Sequence, residues 1–453
     1  MGWLILSFFG KTNFDYSHGG FAIGAGALLS YLAVLIFHSL QKSQNILLGL
    51  GLIGLVLFIH YLFRHRNEFS RFKQADTLLL GAFFIYVVAL NTLKAIGSPI
   101  IGWDGRSIWF FHAKMIWSHG ALDRFAGWDL DSVQFSHVAY PKLVATLAAQ
   151  FCKVVGFWNE YIPKVALVVM ILPPVLWIMS FGKKSISFLF LVGMLFLGMN
   201  QWLWVGDMDG IFALYAGSAV LLAGRYFELK RKIDFLSLFL CLALLSNIKS
   251  EGTMFFVAFI LSVASYLIFS KQKIWPIFGD GEKISVLMLV GIAAMFLPAF
   301  IWAHQRSAWH MISFFQVGKP IWFQTIKNGL ADGSLKEILK NFLVAQSVGR
   351  SLLLVLIATI ALHLQGKKPG MFYMPALATA FFYFCGLVLI FLGQSNNLQF
   401  FLDTAAERTL LGIFSCLAVA SYFLLSSYED GSASVTSFST PYGRYSQKLT
   451  EEE

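Results

Sequence analysis

Long apolar runs separated by short polar connections dominate this chain. Crossing a hydrocarbon core takes about 20 mostly apolar residues, so each run predicts a membrane-spanning helix. About twelve such runs can be traced, at 21–40, 45–63, 77–97, 163–180, 185–205, 210–227, 235–248, 252–270, 284–304, 351–364, 372–393 and 409–427. Inside lipid the backbone must satisfy its own polar groups within each segment, which selects helices. A transmembrane barrel needs short segments that alternate in polarity, and these runs are continuous. The expected fold is an all-α polytopic membrane protein.

Two connections are far longer than the rest, at 98–162 and 304–349. Loops of that length are usually functional. Within them, 106–117, 138–157 and 322–343 mix apolar, aromatic and basic residues at roughly helical spacing. They predict helices lying in the interface plane. The first residues, 1–11, lack a basic start and a small-residue cleavage site, so they read as a short interfacial segment. The Ser-rich end, 428–453, reads as a disordered cytoplasmic tail.

Composition agrees with a lipid environment. Of 453 residues 57% are hydrophobic and only 13% charged, with mean hydropathy +0.69. A soluble domain has no means of hiding that much apolar surface. The net charge of +10 is not a nucleic-acid signal, because much of the excess lies in short connections. Arg64, Arg66, Arg71 and Lys73 follow the second run, and Lys183 and Lys184 the fourth. Arg225, Lys230, Arg231 and Lys232 follow the sixth; Lys271, Lys273 and Lys283 the eighth; Lys367 and Lys368 the tenth. Alternating spans put all of these on one side, which the positive-inside rule makes cytoplasmic. Both long loops then face outward. Cys152, Cys241, Cys385 and Cys416 show no metal or redox spacing, and no disulfide framework is expected.

Against this background a few ionisable residues stand out. Asp104, in Gly102-Trp103-Asp104-Gly105-Arg106, opens the first long loop. It is a candidate catalytic base or a cap for the helix that follows. Asp207 and Asp209 share a short outer turn. They are helix caps, or acids that bind substrate or a divalent cation bridging a phosphate. Lys249 and Glu251 lie in another short turn, where ionisable groups near membrane depth cost roughly 2.5–3.5 kcal/mol on insertion scales. Either they pair with each other or Lys249 contacts a lipid phosphate. Glu407 and Arg408 open the last run from the outer side. Arg408 is an interfacial anchor or a bidentate phosphate ligand. His112 and His119 are two helical turns apart, with His137 in the same loop, but no zinc motif is formed. The string Gly49-Leu50-Gly51-Leu52-Ile53-Gly54 matches a dinucleotide fingerprint without the strand it needs, so close helix packing is the better reading.

Taken together, the blocks Trp103-Asp104-Gly105-Arg106-Ser107-Ile108-Trp109, His112-Ala113-Lys114 and His137-Val138-Ala139-Tyr140-Pro141 resemble the first outer loop of GT-C membrane glycosyltransferases. The likeness is to the group of protein O-mannosyltransferases and the lipid A aminoarabinose transferase. Gly206-Asp207-Met208-Asp209-Gly210, Lys249-Ser250-Glu251-Gly252 and Ala406-Glu407-Arg408-Thr409 resemble later blocks of these enzymes, in the same order. The resemblance spans roughly 77–427 as a GT-C-like core. It leaves 1–76 as a segment with two additional spans, and 428–453 as tail. Three features depart from that pattern: a single Asp where the mannosyltransferases have an acidic pair, the two early spans, and no soluble outer domain after the last helix.

The resemblance implies inverting transfer of a sugar from a polyprenyl-phosphate donor to a lipid, glycan or protein acceptor. It implies a bacterial inner (plasma) membrane protein with its site facing the periplasm or exterior. Asp104 would be the base and Asp209 a second catalytic acid. Arg106, Tyr140, Asp207, Lys249, Glu251 and Arg408 would bind substrate. No cofactor is implied with certainty, and a divalent cation is compatible with the acids. The rival readings are a transporter or lipid flippase, an O-antigen ligase or polymerase type of transferase, and a non-catalytic scaffold.

Overall fold

The computed structural model describes residues 16–64, 85–87, 89–90, 92–182, 186–269, 286–311, 317–364, 373–394 and 398–430. Outside these lie the 1–11 segment, most of the tail, most of the cation-rich connections, and the first part of the 77–97 run. The described residues form helices and no strands.

The helices are α1 (Tyr16–Phe37), α2 (Leu40–Arg64), α3 (Phe110–His119), α4 (Leu143–Val155), α5 (Val165–Met179), α6 (Ile186–Gly198), α7 (Asp209–Leu229) and α8 (Lys232–Ile248). They continue as α9 (Glu251–Phe269), α10 (Val286–Ala308), α11 (Pro320–Ala331), α12 (Ser334–Val344), α13 (Gln346–Leu364), α14 (Tyr373–Leu392), α15 (Leu398–Thr409) and α16 (Leu411–Asp430). Among the described residues, eight helical segments are long and apolar enough to cross a membrane. They correspond to α1, α5, α7, α9, α10, α13, α14 and the joined α15–α16.

One expected span comes out shorter than read. The 185–205 run becomes a helix of 13 residues, α6, followed by a short 3₁₀ turn at Asn200–Leu203. At 1.5 Å per residue α6 reaches about 20 Å, less than the roughly 30 Å of hydrocarbon. The chain leaves the helix early because it must turn into the Asp207–Asp209 segment. The 235–248 run forms α8, 17 residues long.

Helix α7 is the axis of the bundle, 94% of its apolar window being buried. It packs against α5, α8, α14 and α16. Small residues allow this: Gly217 meets Ser415, and Gly224 meets Phe423. α9, α10 and α13 are much less buried and present Leu261, Leu297 and Leu353 outward, as helices bordering lipid do. α1 is built into the bundle rather than appended to it. Its Phe21, Tyr31 and Val34 are fully buried, and the Gln305 side chain donates to Leu35 O at 3.2 Å. In α2, Gly49 and Gly51 face open space, so close helix packing is not their role.

The long loops do contain helices. The first provides a π-helical turn (Gly105–Trp109), α3 and α4; the second provides α11 and α12. α12 buries Ile338 and Phe342, and Phe342 packs edge-on to Phe384 and Phe391 of α14.

Candidate functional site

Asp104 precedes the π-helical turn but does not cap it. Instead its Oδ2 accepts from Arg408 Nη1 at 2.6 Å. Single π turns are rare and recur at functional sites. Arg408 does not open the last span, as the sequence suggested. It closes α15, ahead of the junction with α16.

The loop carrying Asp104 crosses the 205–207 turn at close range. Gly105 lies against the Cα of Gly206, whose φ of +103° suits glycine. The Gly105 N–H donates to Asp207 Oδ1 at 3.1 Å, so Asp207 ties the two loops together and does not cap α7. Burial and the neighbouring Asp104 and Asp209 push the Asp207 carboxyl up to about 6, against the pull of Arg408 and the Gly105 N–H.

Asp209 begins α7 without a capping bond. Its Oδ1 accepts from Lys249 Nζ at 2.7 Å, and the same ammonium lies 3.0 Å from Glu251 Oε1. The Lys249–Glu251 pair foreseen as the plain reading is thus present, with Asp209 added. Burial alone would lower the Lys249 pKa, but Asp209 and Glu251 outweigh it and hold it well above the usual lysine range. The second Glu251 oxygen, Oε2, is buried with no hydrogen bond from the described residues.

These groups meet at a cavity of about 670 Å³. Asp104, Tyr140, Lys249, Glu251 and Arg408 line it, with Asp209 behind Lys249. Its other walls are largely apolar, from Met254, Val257, Leu387, Ile390 and Phe391. Val257 and Leu389, both on membrane-length helices, are 51% and 46% exposed, so the cavity borders the surface that lipid would cover. Arg106 is exposed and does not line the cavity. Trp103 is likewise exposed.

Tyr140 sits in an aromatic column, stacked on Trp109 (5.5 Å between centroids) and on His137 (5.2 Å). Burial lowers the His137 pKa, as do Lys249, Arg408 and Lys142, while Asp104 opposes them. The His137 imidazole faces the cavity.

Sequence reasoning missed Lys142, Arg306 and Lys319. Lys142 follows the Tyr140-Pro141 block and is fully buried. Its Nζ donates to Val138 O at 2.8 Å and lies 3.0 Å from His112 Nδ1. The Ser136 hydroxyl spends its proton on Val133 O, so His112 Nε2–H donates to Ser136 Oγ and His112 Nδ1 accepts from Lys142. Burial drives the Lys142 pKa well below the usual lysine range, and the rings of Trp128 and Trp302 flank the amine. Arg306, in the last turn of α10, and Lys319, at the start of α11, line the cavity; in sequence both fall in the second long connection and resemble any solvated cation.

Among the described residues no group of three or more His, Cys, Asp or Glu is placed to hold a metal ion, and Lys249 takes the Asp209 carboxylate. His112 and His119 do not form a pair: His112 bonds Ser136 and Lys142, and His119 bonds Asp123 at 3.1 Å. The four cysteines are free. Comparison with protein-family models, curated proteins and solved structures finds no match to this chain.

Proposed function

We propose that this protein is a membrane glycosyltransferase of GT-C type, moving a sugar from a polyprenyl-phosphate carrier to an acceptor hydroxyl on the extracytoplasmic side. One observation carries this reading. Acidic and basic residues from the first long loop, the start of α7, the α8–α9 turn and the end of α15 gather at a single cavity with an apolar wall. A structural scaffold has no use for such a cavity, and buried ionisable groups at membrane depth are costly without a role.

In this reading Asp104 is the general base. Arg408 holds its Oδ2, and among the described residues no side chain or backbone group bonds Oδ1. The acceptor hydroxyl loses its proton to Asp104 while its oxygen attacks the anomeric carbon. The bond from that carbon to the phosphate oxygen breaks, the phosphate leaves with the electron pair, and the configuration inverts. The Glu251 Oε2, unpartnered among the described residues, would accept from a sugar hydroxyl, and Tyr140, both of whose faces are covered by Trp109 and His137, would contact substrate by its edge. Four cations line the cavity, Lys249, Arg306, Lys319 and Arg408, and they are the groups able to take up the leaving charge. We assign the protein to a bacterial inner membrane with the cavity facing the periplasm.

Comparative mass spectrometry of envelope lipids and glycans from deletion and wild-type cells identifies the missing sugar. Transfer is then measured with purified protein in proteoliposomes. Asp104→Asn is expected to fold normally and to lose transfer by about 10²–10⁴-fold, the usual worth of a general base. Wild-type transfer rates in that variant remove Asp104 from the role. Movement of a lipid-linked saccharide across vesicles, without any transfer, replaces the reading with a flippase.

A further inference from the structure

The cavity cations fall into two groups. Lys249 faces both Asp209 and Glu251, and Arg408 faces Asp104. At this end three carboxylates meet two cations, so the local charge does not favour an anion. Arg306 and Lys319 line the same cavity from the α10–α11 side, and among the described residues neither has an acidic partner. Lys319 is also in an unfavourable place. It is the N-cap residue of α11, where the helix dipole is positive and a cation is disfavoured. Pro320 follows it, the cap makes no side-chain bond, and no acid occupies the first turn. Two cations without acidic partners, one of them at an uncompensated helix N-terminus, thus line a cavity whose other walls are largely apolar. Helix N-termini of this kind bind phosphate and similar anions.

Resting on the transferase reading of the same cavity, we propose that Arg306, Lys319 and the N-terminus of α11 bind the phosphate of the lipid-borne substrate. Lys249 and Arg408 then serve to hold the carboxylates. The hydrocarbon chain runs along Val257 and Leu389, which connect the cavity to the lipid-facing surface. The sugar is directed toward the acidic end, where Asp104 and Glu251 Oε2 accept hydroxyl protons and hydrogen bonds.

The test is direct binding of a C15 isoprenyl monophosphate to the full-length protein in nanodiscs, with the matching isoprenol and inorganic phosphate as separate arms. The double variant Arg306→Gln/Lys319→Gln is expected to weaken the isoprenyl phosphate at least tenfold. Lys319→Gln alone, at an exposed position that leaves folding intact, is expected to weaken it severalfold. Lys327→Gln/Lys336→Gln, exposed and away from the cavity, is expected to bind as wild type. The isoprenol is expected to bind poorly, which assigns the affinity to phosphate. Unchanged binding in the double variant overturns the proposal. So does inorganic phosphate binding as tightly as the isoprenyl ester with the same sensitivity, which makes the ligand a free anion. Because the assay reads binding alone, a chain that transfers no sugar yet binds through Arg306 and Lys319 overturns the enzyme reading and keeps this one.

Discussion

Asp207 is the residue whose charge the site controls most visibly. It is buried beside Asp104 and Asp209, and its one hydrogen bond from the described residues is the Gly105 N–H. Its pKa rises from 3.8 to about 6 on folding, so the folded state holds a proton that the unfolded chain has lost. Stability therefore falls as pH rises from about 4 to about 6, and above 6 the full penalty is present. Asp207→Asn keeps an acceptor for Gly105 and removes the charge. The variant is expected to gain on the order of 1–3 kcal/mol over wild type at pH 7.5, and little or nothing at pH 4. Thermal unfolding in detergent across that range checks it, and a pH-independent difference between the two proteins overturns the assignment. Asp104 was conspicuous in the sequence because a carboxylate at the edge of an apolar chain stands out. Its pairing with Arg408, 304 residues away, was not, because nothing local in the sequence encodes it.

The α8–α9 turn shows how an element places two cavity-lining side chains at once. α8 ends at Ile248 and α9 begins at Glu251, so the helices are joined by two residues. Gly252 closes the turn: a Cβ there would collide with the Leu245 carbonyl, which is backbone and cannot move aside. Gly252→Ala is expected to cost about 1–3 kcal/mol by overpacking and to swing Lys249 and Glu251 off their partners. Thermal unfolding and the transfer assay check it together; wild-type values in both show that the turn tolerates a side chain. The Lys249-Ser250-Glu251-Gly252 block was readable because short charged turns between apolar runs are rare. Helix lengths were readable where the apolar run ends in a charged connection, as in α7, and not where it runs on into aromatic loop, as in α6. There Trp202 and Trp204 extend the hydropathy signal past the end of the helix at Gly198. Arg306 and Lys319 were invisible for the opposite reason, since cations in a long polar connection look solvated until the fold brings them to the rim of a cavity.

At the scale of the whole molecule, α7 links the cavity to a second ionic centre. Asp209 and Arg225 are 16 residues apart on this helix, roughly 24 Å at 1.5 Å per residue. Arg225 bonds the fully buried Asp234 of α8 through Nε at 2.9 Å and through Nη2, and also reaches Ser17 of α1 and Ser180 after α5. One guanidinium thus joins four segments of the bundle at the end away from Asp104, beside the cation-rich 230–232 connection. A buried pair of this kind adds little net stability compared with apolar residues, yet breaking it from one side is costly. Arg225→Met is expected to destabilise by about 3–5 kcal/mol, because among the described residues Asp234 keeps only Arg231, at 3.5 Å, as a cationic partner. The double variant Arg225→Met/Asp234→Leu is expected to recover most of that loss. Unfolding temperatures of the purified single and double variants test this coupling. Equal losses in both assign the effect to packing around Phe181, over which the guanidinium lies at 3.9 Å, rather than to the stranded carboxylate. Protein that remains folded is expected to bind the isoprenyl phosphate as wild type does, since the cavity lies at the other end of α7.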